Sequence, residues 1–181
     1  MHLTTTAHRS PFSAATETIS YAIGESALGW ILVARSTAGV CAILIGADAE
    51  TLAADLADQF PGARFRAVAA PVAPDLAEVI RFVDRPGASL ELALDLRGTV
   101  FQRRVWETLR AIPAGTTVTY TELARRIGEP QAVRAVASAC AANRLALAIP
   151  CHRVVRNDGG LAGYRWGVER KRALIAQEAA A

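Results

Sequence analysis

Cysteine is scarce in this chain and comes in an odd number: Cys41, Cys140 and Cys151. Three thiols with no tight spacing exclude a disulfide framework and a zinc knuckle, and they point to a reducing, cytoplasmic setting with no metal. Long apolar runs are missing as well. None approaches the ~20 residues that a membrane-spanning helix needs, and Met1 to Thr6 lack the apolar core of a secretory signal, so a soluble chain with no membrane partner is expected. Lysine is all but absent, Lys171 being the only one, so the positive charge is carried by arginine, which forms bidentate contacts and planar stacks that lysine cannot. Histidine is sparse as well, with three. His2 and His8 fall in a Thr-, Ser- and Ala-rich opening that reads as a flexible tail over residues 1–17, which leaves His152 as the one histidine placed for chemistry.

What is present suffices for a real core. The chain has 181 residues, 52% of them hydrophobic, enough for one ordinary domain or two small ones. The net charge of +3 hides an asymmetry. Residues 1–96 carry 6 arginines against 11 acidic residues, −5, whereas residues 97–181 carry 14 basic against 6 acidic residues, +8. The second half is the candidate polyanion surface.

Strand-like runs over Ile19–Ile23, Leu28–Arg35 and Val40–Ile45, separated by glycines, predict an antiparallel meander. Four-residue apolar spacing predicts helices over Ala49–Phe60 and Asp75–Val83, ended by Pro61-Gly62 and Pro86-Gly87. Leu90–Leu96 alternates and reads as one more strand. From Gly98 the character is helical. Thr99 can cap a helix bearing Phe101, Val105, Trp106 and Leu109 on one face; Thr119 caps Tyr120–Ile127; and Gln131–Ala142 follows a Gly128-Glu129-Pro130 turn. A boundary near Arg97 therefore divides an α/β domain, residues 18–96, from a helical domain, residues 97–181. The last two helices form a helix-turn-helix signature, although a plain helical hairpin is far commoner. The second helix carries one long polar side chain, Arg134, among alanines and Ser138. Such a surface suits close approach to the minor groove, with Arg134 inserted into the base stack, better than major-groove reading.

The segment Ile149-Pro150-Cys151-His152-Arg153-Val154 carries the chemistry. Pro150 biases Ile149 toward extended backbone, so a short, stiff, extended run is expected from Cys151 to Val155. A free thiol is only a few per cent thiolate at neutral pH, and His152 is the nearest base. Adjacent residues of an extended chain face opposite ways, so a bridging water or a bend has to connect them. The bland alternative for Cys151 is a buried, inert thiol, which is how Cys41 and Cys140 read.

Tyr120, Arg134-Ala135-Val136, Asn143, the run Ile149–Val155 and Gly163-Tyr164-Arg165-Trp166-Gly167 together resemble the O6-alkylguanine-DNA alkyltransferases. The likeness is dense from Arg97 to Glu178, and Gly39–Gly46 resembles the C-terminal repair half of the bacterial Ada branch. The resemblance implies an α+β fold: a ribonuclease-H-like antiparallel sheet with helices, then a helical domain with a winged-helix-like helix-turn-helix. It implies single-turnover repair, in which the alkyl group on guanine O6, and on O4 of thymine, passes irreversibly to Cys151 after base flipping. No cofactor is involved. The partner is double-stranded DNA containing O6-alkylguanine, bound by a monomer through the minor groove.

By the same resemblance, His152 acts on Cys151 through a water, Glu178 orients His152, and Asn143 ties the recognition helix to the reactive loop. Arg134 fills the space left by the flipped base, and Tyr120 presses on the neighbouring phosphate and donates to the base. Backbone groups at Cys151, Val154, Tyr164 and Arg165 address the guanine, with Thr121 and Asn157 at the phosphates and Ser138 also on the DNA-binding face. Trp166 stands where other branches carry a small residue, so a narrow pocket that prefers methyl to benzyl is expected. The zinc domain of full-length Ada has no counterpart here, and a stand-alone repair protein is expected over a fragment. The alternatives are a non-catalytic binder of alkyl lesions, against which Cys151 speaks, and an Ada-derived transcriptional regulator. A cysteine hydrolase is disfavoured because it needs a second, distant histidine.

Overall fold

Alternation of β-branched residues around two tight turns folds the first half onto itself. The computed structural model describes residues 16–85, 89–161 and 163–180. Strands β1 (Thr18–Ser26), β2 (Gly29–Arg35) and β3 (Val40–Gly46) pair antiparallel, with Leu32 opposite Ile23 on one side and Leu44 on the other. Gly39, at φ 150°, lies so close to the Ala93 carbonyl that a Cβ there would stand 2.5 Å from its oxygen. A fourth strand, β4 (Arg64–Ala67), lies parallel to β1, giving the order β3-β2-β1-β4. The sheet is thus mixed and not purely antiparallel. Only four residues long and mostly exposed, β4 has no periodicity to betray it.

Both faces of the sheet are buried. Leu32, Ala34 and Leu44 meet Leu52 and Leu56 of α1 (Ala49–Gln59), whose first turn is capped by Asp48. Ile31, Val33, Ile43 and Ile45 join Val72, Val79 and Val83 of α2 (Ala69–Asp84) and the core of the second half. Helix α2 begins six residues before its expected start, because Pro74 is accommodated inside it at the loss of one backbone donor. Its expected stop at Pro86-Gly87, like most of the expected tail, lies outside the described residues; Glu17 is held by Arg97.

Residues 90–96 alternate as expected but do not form a strand. Only Leu94 makes a bridge, to Val40 on the outer edge of β3, where Val40 N donates to Ala93 O and Asp95 N to Val40 O. Alternation records two faces of an extended chain and not the presence of a ladder.

In the second half, Thr99 and Gln102 close a capping box on α3 (Val100–Arg110). Thr119 caps α4 (Tyr120–Arg126), and α5 (Val133–Ala141) follows. Trp106 of α3 donates its indole N–H to Ala139 O at 2.8 Å, locking α3 to α5. Strand β5 (Val118–Thr119) pairs parallel with β6 (Val154–Val155), and α6 (Val168–Ala179) closes the chain. Arg170 on α6 donates to Leu28 O at 2.7 Å, tying it to the β1–β2 hairpin.

Candidate active site and nucleic-acid interface

Three tight turns deliver the reactive thiol. After α5, the loop docks on the outer edge of β3: Ile43 N donates to Arg144 O at 2.9 Å and Ala146 N to Ile43 O at 3.0 Å. Leu147 follows at φ 69°, the only non-glycine residue with positive φ among the described residues, inside a γ-turn closed by Ala148 N to Ala146 O at 2.7 Å. A second γ-turn, of the common inverse kind, centres on Pro150 at φ −78°, ψ 60°, closed by Cys151 N to Ile149 O at 2.8 Å. Cys151–Arg153 then forms one 3₁₀ turn, and only Val154–Val155 are extended. The expected extended run from Cys151 is therefore corrected. Proline restricts its predecessor and lacks only its own N–H, so its carbonyl remains free to start the turn by accepting from Arg153 N at 3.0 Å.

Asn143 is fully buried and uses its whole side chain. Its Nδ2 donates to Ile149 O at 2.9 Å and to Cys151 Sγ at 3.2 Å, and its Oδ1 accepts from Leu145 N at 2.8 Å. Burial pushes the Cys151 thiol up to about 11, the Asn143 hydrogen bond offsetting part of the rise.

His152 reaches α6, its Nε2 lying 2.8 Å from Glu178 Oε1. Burial lowers the histidine below 6.5 against the opposing pull of Glu178, so it is neutral at pH 7. Burial alone would raise Glu178, but hydrogen bonds from His152 and Arg153 outweigh it and bring the carboxyl to about 2. An ionised Glu178 accepts only, which assigns the proton to Nε2 and leaves the Nδ1 lone pair available. That Nδ1 is buried with no hydrogen-bond partner among the described residues. The arrangement is a neutral base anchored by a carboxylate, next in sequence to a protonated thiol.

Two buried cations complete the network, and sequence reasoning assigned neither a role. Arg153 donates to Glu178 from Nε at 2.9 Å and from Nη2 at 2.8 Å, and also to Ile112 O. Lys171, fully buried, donates from Nζ to Val154 O at 2.6 Å. The sequence did hold a signal for Lys171: Lys171, Leu174 and Glu178 follow one another at helical spacing on the inward stripe of α6.

Cys151 opens onto a cavity of about 380 Å³ lined by Tyr120, Ala137, Cys140, Ala141, Gly163, Tyr164 and Arg165. This size takes a small planar ligand. Cys140, read from sequence as a packing residue, also borders it. Val154 and Trp166, both expected in its wall, are not among the lining residues. Val154 is buried beneath the turn, and Trp166 stands behind Tyr164, edge-on with ring centroids 5.1 Å apart. The Tyr164 hydroxyl is buried without a hydrogen-bond partner among the described residues, and burial holds its pKa well above 10.

The residues expected at DNA lie on α5, at the start of α4 and on the turn after β6. On α5, Arg134, Ala135, Ser138 and Ala141 form the exposed stripe, small apart from Arg134, and Ser138 Oγ donates back to Arg134 O at 3.1 Å. Thr121 is half-buried at the start of α4, and Asn157 is exposed on the turn after β6. Among the described residues, no group of acidic, histidine or cysteine side chains is arranged to hold a metal.

Known proteins place this geometry. Residues 100–180 match the family model for the DNA-binding domain of 6-O-methylguanine DNA methyltransferase. The bifunctional transcriptional activator/DNA repair enzyme Ada of Escherichia coli K12 is 52% identical over 161 residues, 89% of this chain and 46% of Ada. A methylated-DNA–protein-cysteine methyltransferase of Mycolicibacterium paratuberculosis is 50% identical over 88 residues, 49% of this chain and 53% of that protein. This chain thus spans about half the length of these curated relatives. Among solved structures, the Mycobacterium tuberculosis O6-methylguanine methyltransferase superposes with a TM-score of 0.70 at 31% identity, covering 90% of this chain and 93% of its own. The same organism's OGT in complex with DNA gives 0.71 at 30% identity, covering 89% and 93%. A mixed α+β fold is thus shared over nearly the whole length of solved relatives, and the chain belongs to the O6-alkylguanine-DNA alkyltransferase family, similar to the C-terminal half of Ada.

Proposed function

We propose that the protein repairs DNA by direct transfer of an alkyl group, methyl above all, from guanine O6 to Cys151. The observation that carries this reading is the thiol itself: Cys151 Sγ borders a ligand-sized cavity while Asn143, His152 and Glu178 converge on its turn. His152 Nδ1 takes the thiol proton through a water. The sulfur attacks the alkyl carbon, an S–C bond forms as the C–O6 bond breaks, and the electron pair goes to O6. The Tyr120 hydroxyl, with backbone N–H groups at Tyr164 and Arg165, supports the departing guanine, on which the proton finally rests. Nothing regenerates the thiol, so one molecule repairs one lesion.

Because the thiol lies inside a folded domain, the base has to leave the duplex, at a cost of a few kcal/mol that is smallest for a lesion that pairs badly. The small exposed stripe of α5 supports a minor-groove approach, with Arg134 filling the vacated stack and Thr121, Ser138 and Asn157 on phosphates. In this reading β6 and the turn after it act as a short wing beside the helix-turn-helix, and the mixed sheet is a ribonuclease-H-like scaffold. The protein works as a monomer in the cytoplasm without a cofactor. The test is intact and peptide mass spectrometry after mixing with a duplex containing one O6-methylguanine. A gain of one methylene unit on the Cys151 peptide, saturating at one per protein and absent in Cys151→Ala, is expected; binding with no gain refutes alkyl transfer.

A further inference from the structure

Phe60, at the end of α1, has a guanidinium on it from each of two arginines. Arg97 lies 5.5 Å and Arg144 5.0 Å from the ring centroid. Their electrostatic situations are opposite. Arg97 is neutralised by Glu17 and Asp95, each at 2.5 Å. The Arg144 guanidinium has no carboxylate and no hydrogen-bond acceptor among the described residues. Burial lowers its pKa most, and the positive charges of Arg165 and Arg97 lower it further. The Phe60 ring engages the guanidinium without using its N–H groups, which stay available for an acceptor. Arg165 is similar: exposed, on the wall of the base cavity, and held by one long contact to Ala141 O at 3.4 Å.

Position identifies what would relieve this unbalanced charge. Arg144 directly follows Asn143, at the end of the helix that carries Arg134. With Thr16, Glu17, Phe60 and Arg97 it borders a surface depression of about 450 Å³ at the junction with the α/β half, where the Glu17 carboxylate is already taken by Arg97. We infer that Arg144 and Arg165 form a phosphodiester site that carries the bound DNA strand from the base cavity onto the α/β half. The inference rests on the proposed DNA binding and extends its footprint beyond the helix-turn-helix. A guanidinium edge takes a phosphate with two parallel N–H···O bonds, and pairing there removes the repulsion between the two arginines.

The test measures affinity for an unmodified duplex against salt concentration, using the whole 181-residue chain as wild type, Arg144→Gln, Arg144→Lys and the Arg144→Gln/Arg165→Gln pair. Loss of one phosphate contact lowers the slope of log affinity against log salt by about 0.9. Over a fourfold rise in salt, Arg144→Gln should therefore lose about three- to fourfold less affinity than wild type, and the double variant should show twice the change in slope. Arg144→Lys keeps the charge without the guanidinium fork and should keep the wild-type slope; a melting curve confirms that each variant is folded. An unchanged slope in Arg144→Gln, with wild type transferring the alkyl group normally, overturns the phosphate site alone. A wild type that binds no duplex overturns it together with the proposed function.

Discussion

Replacing Glu178 by glutamine removes one charge and keeps the shape, so its effect can be worked out in advance. The carboxylate receives four hydrogen-bonding atoms: His152 Nε2 and Arg153 Nη2 at 2.8 Å, Arg153 Nε at 2.9 Å and Gly115 N at 3.3 Å. Its side chain is 11% exposed, so solvent screens it little. A pKa of about 2 against the ordinary 4.5 corresponds to about 3 kcal/mol of stability at pH 7. Because the folded value is depressed, that contribution is complete above pH 4.5 and is lost as the pH falls toward 2. Glu178→Gln should therefore melt about 6–12 °C below wild type at neutral pH, the gap closing under acid. It also leaves the Arg153 guanidinium buried without a counter-charge, which acts in the same direction. Transfer should slow by at least about 10²-fold, since the imidazole loses the anion that stabilises it on taking the thiol proton. Single-turnover mass gain on Cys151, measured well below both melting transitions, separates chemistry from stability. A variant that melts within about 2 °C of wild type and transfers within about twofold of its rate would reduce Glu178 to an ordinary helix-face residue.

The thiol at about 11 and a histidine below 6.5 predict a transfer rate that is flat across about pH 7–9; a rise centred near 8.5 would mean a solvated, freely ionising thiol. Asn143→Ala removes three buried hydrogen bonds and should cost about 3 kcal/mol in urea unfolding as well as slowing transfer, whereas a loss under about 1 kcal/mol would show the loop to be held by other groups. At Leu147, φ 69° favours glycine, so Leu147→Gly should be more stable than Leu147→Ala by about 1 kcal/mol; equal melting temperatures contradict the positive-φ turn. Methylguanine should react far faster than benzylguanine in the same duplex, and Trp166→Gly should relax this preference only through the Tyr164 ring, so that in a Tyr164→Ala background Trp166→Gly changes it no further; comparable rates for the two lesions in wild type refute a narrow cavity.

The strands of the meander and the helices α1, α3, α4 and α5 were legible because each buries one periodic face between recognisable stops. Strand β4 was not, since four exposed residues carry no pattern, and Pro74 hid the first turns of α2 by breaking a rule that the fold could afford to break once. The alternation of residues 90–96 was read correctly as two-faced and wrongly as paired. At the site, the structure brings Asn143 to Cys151 and Glu178 to His152. Their meeting depends on γ-turns at Leu147 and Pro150, and the first needs a backbone angle that leucine seldom adopts. Arg153 and Lys171 escaped assignment because burial of a charge is decided by partners distant in sequence, here Ile112, Glu178 and Val154.

Strand β3 reads Val40-Cys41-Ala42-Ile43-Leu44-Ile45-Gly46, uncharged, free of proline and buried almost throughout, yet it is the last strand on its side of the sheet. An edge of that composition is a template for intermolecular pairing if its backbone groups are left open. Here Val40 is covered by the segment at Leu94 and Ile43 by the loop at Leu145 that leads to the thiol. The loop that positions the chemistry therefore also serves as a guard against aggregation. Any event that lifts it from β3, whether a substitution, a bulky adduct on Cys151 or local unfolding of the helical half, uncovers a sticky strand, and solubility and reactivity should fail together.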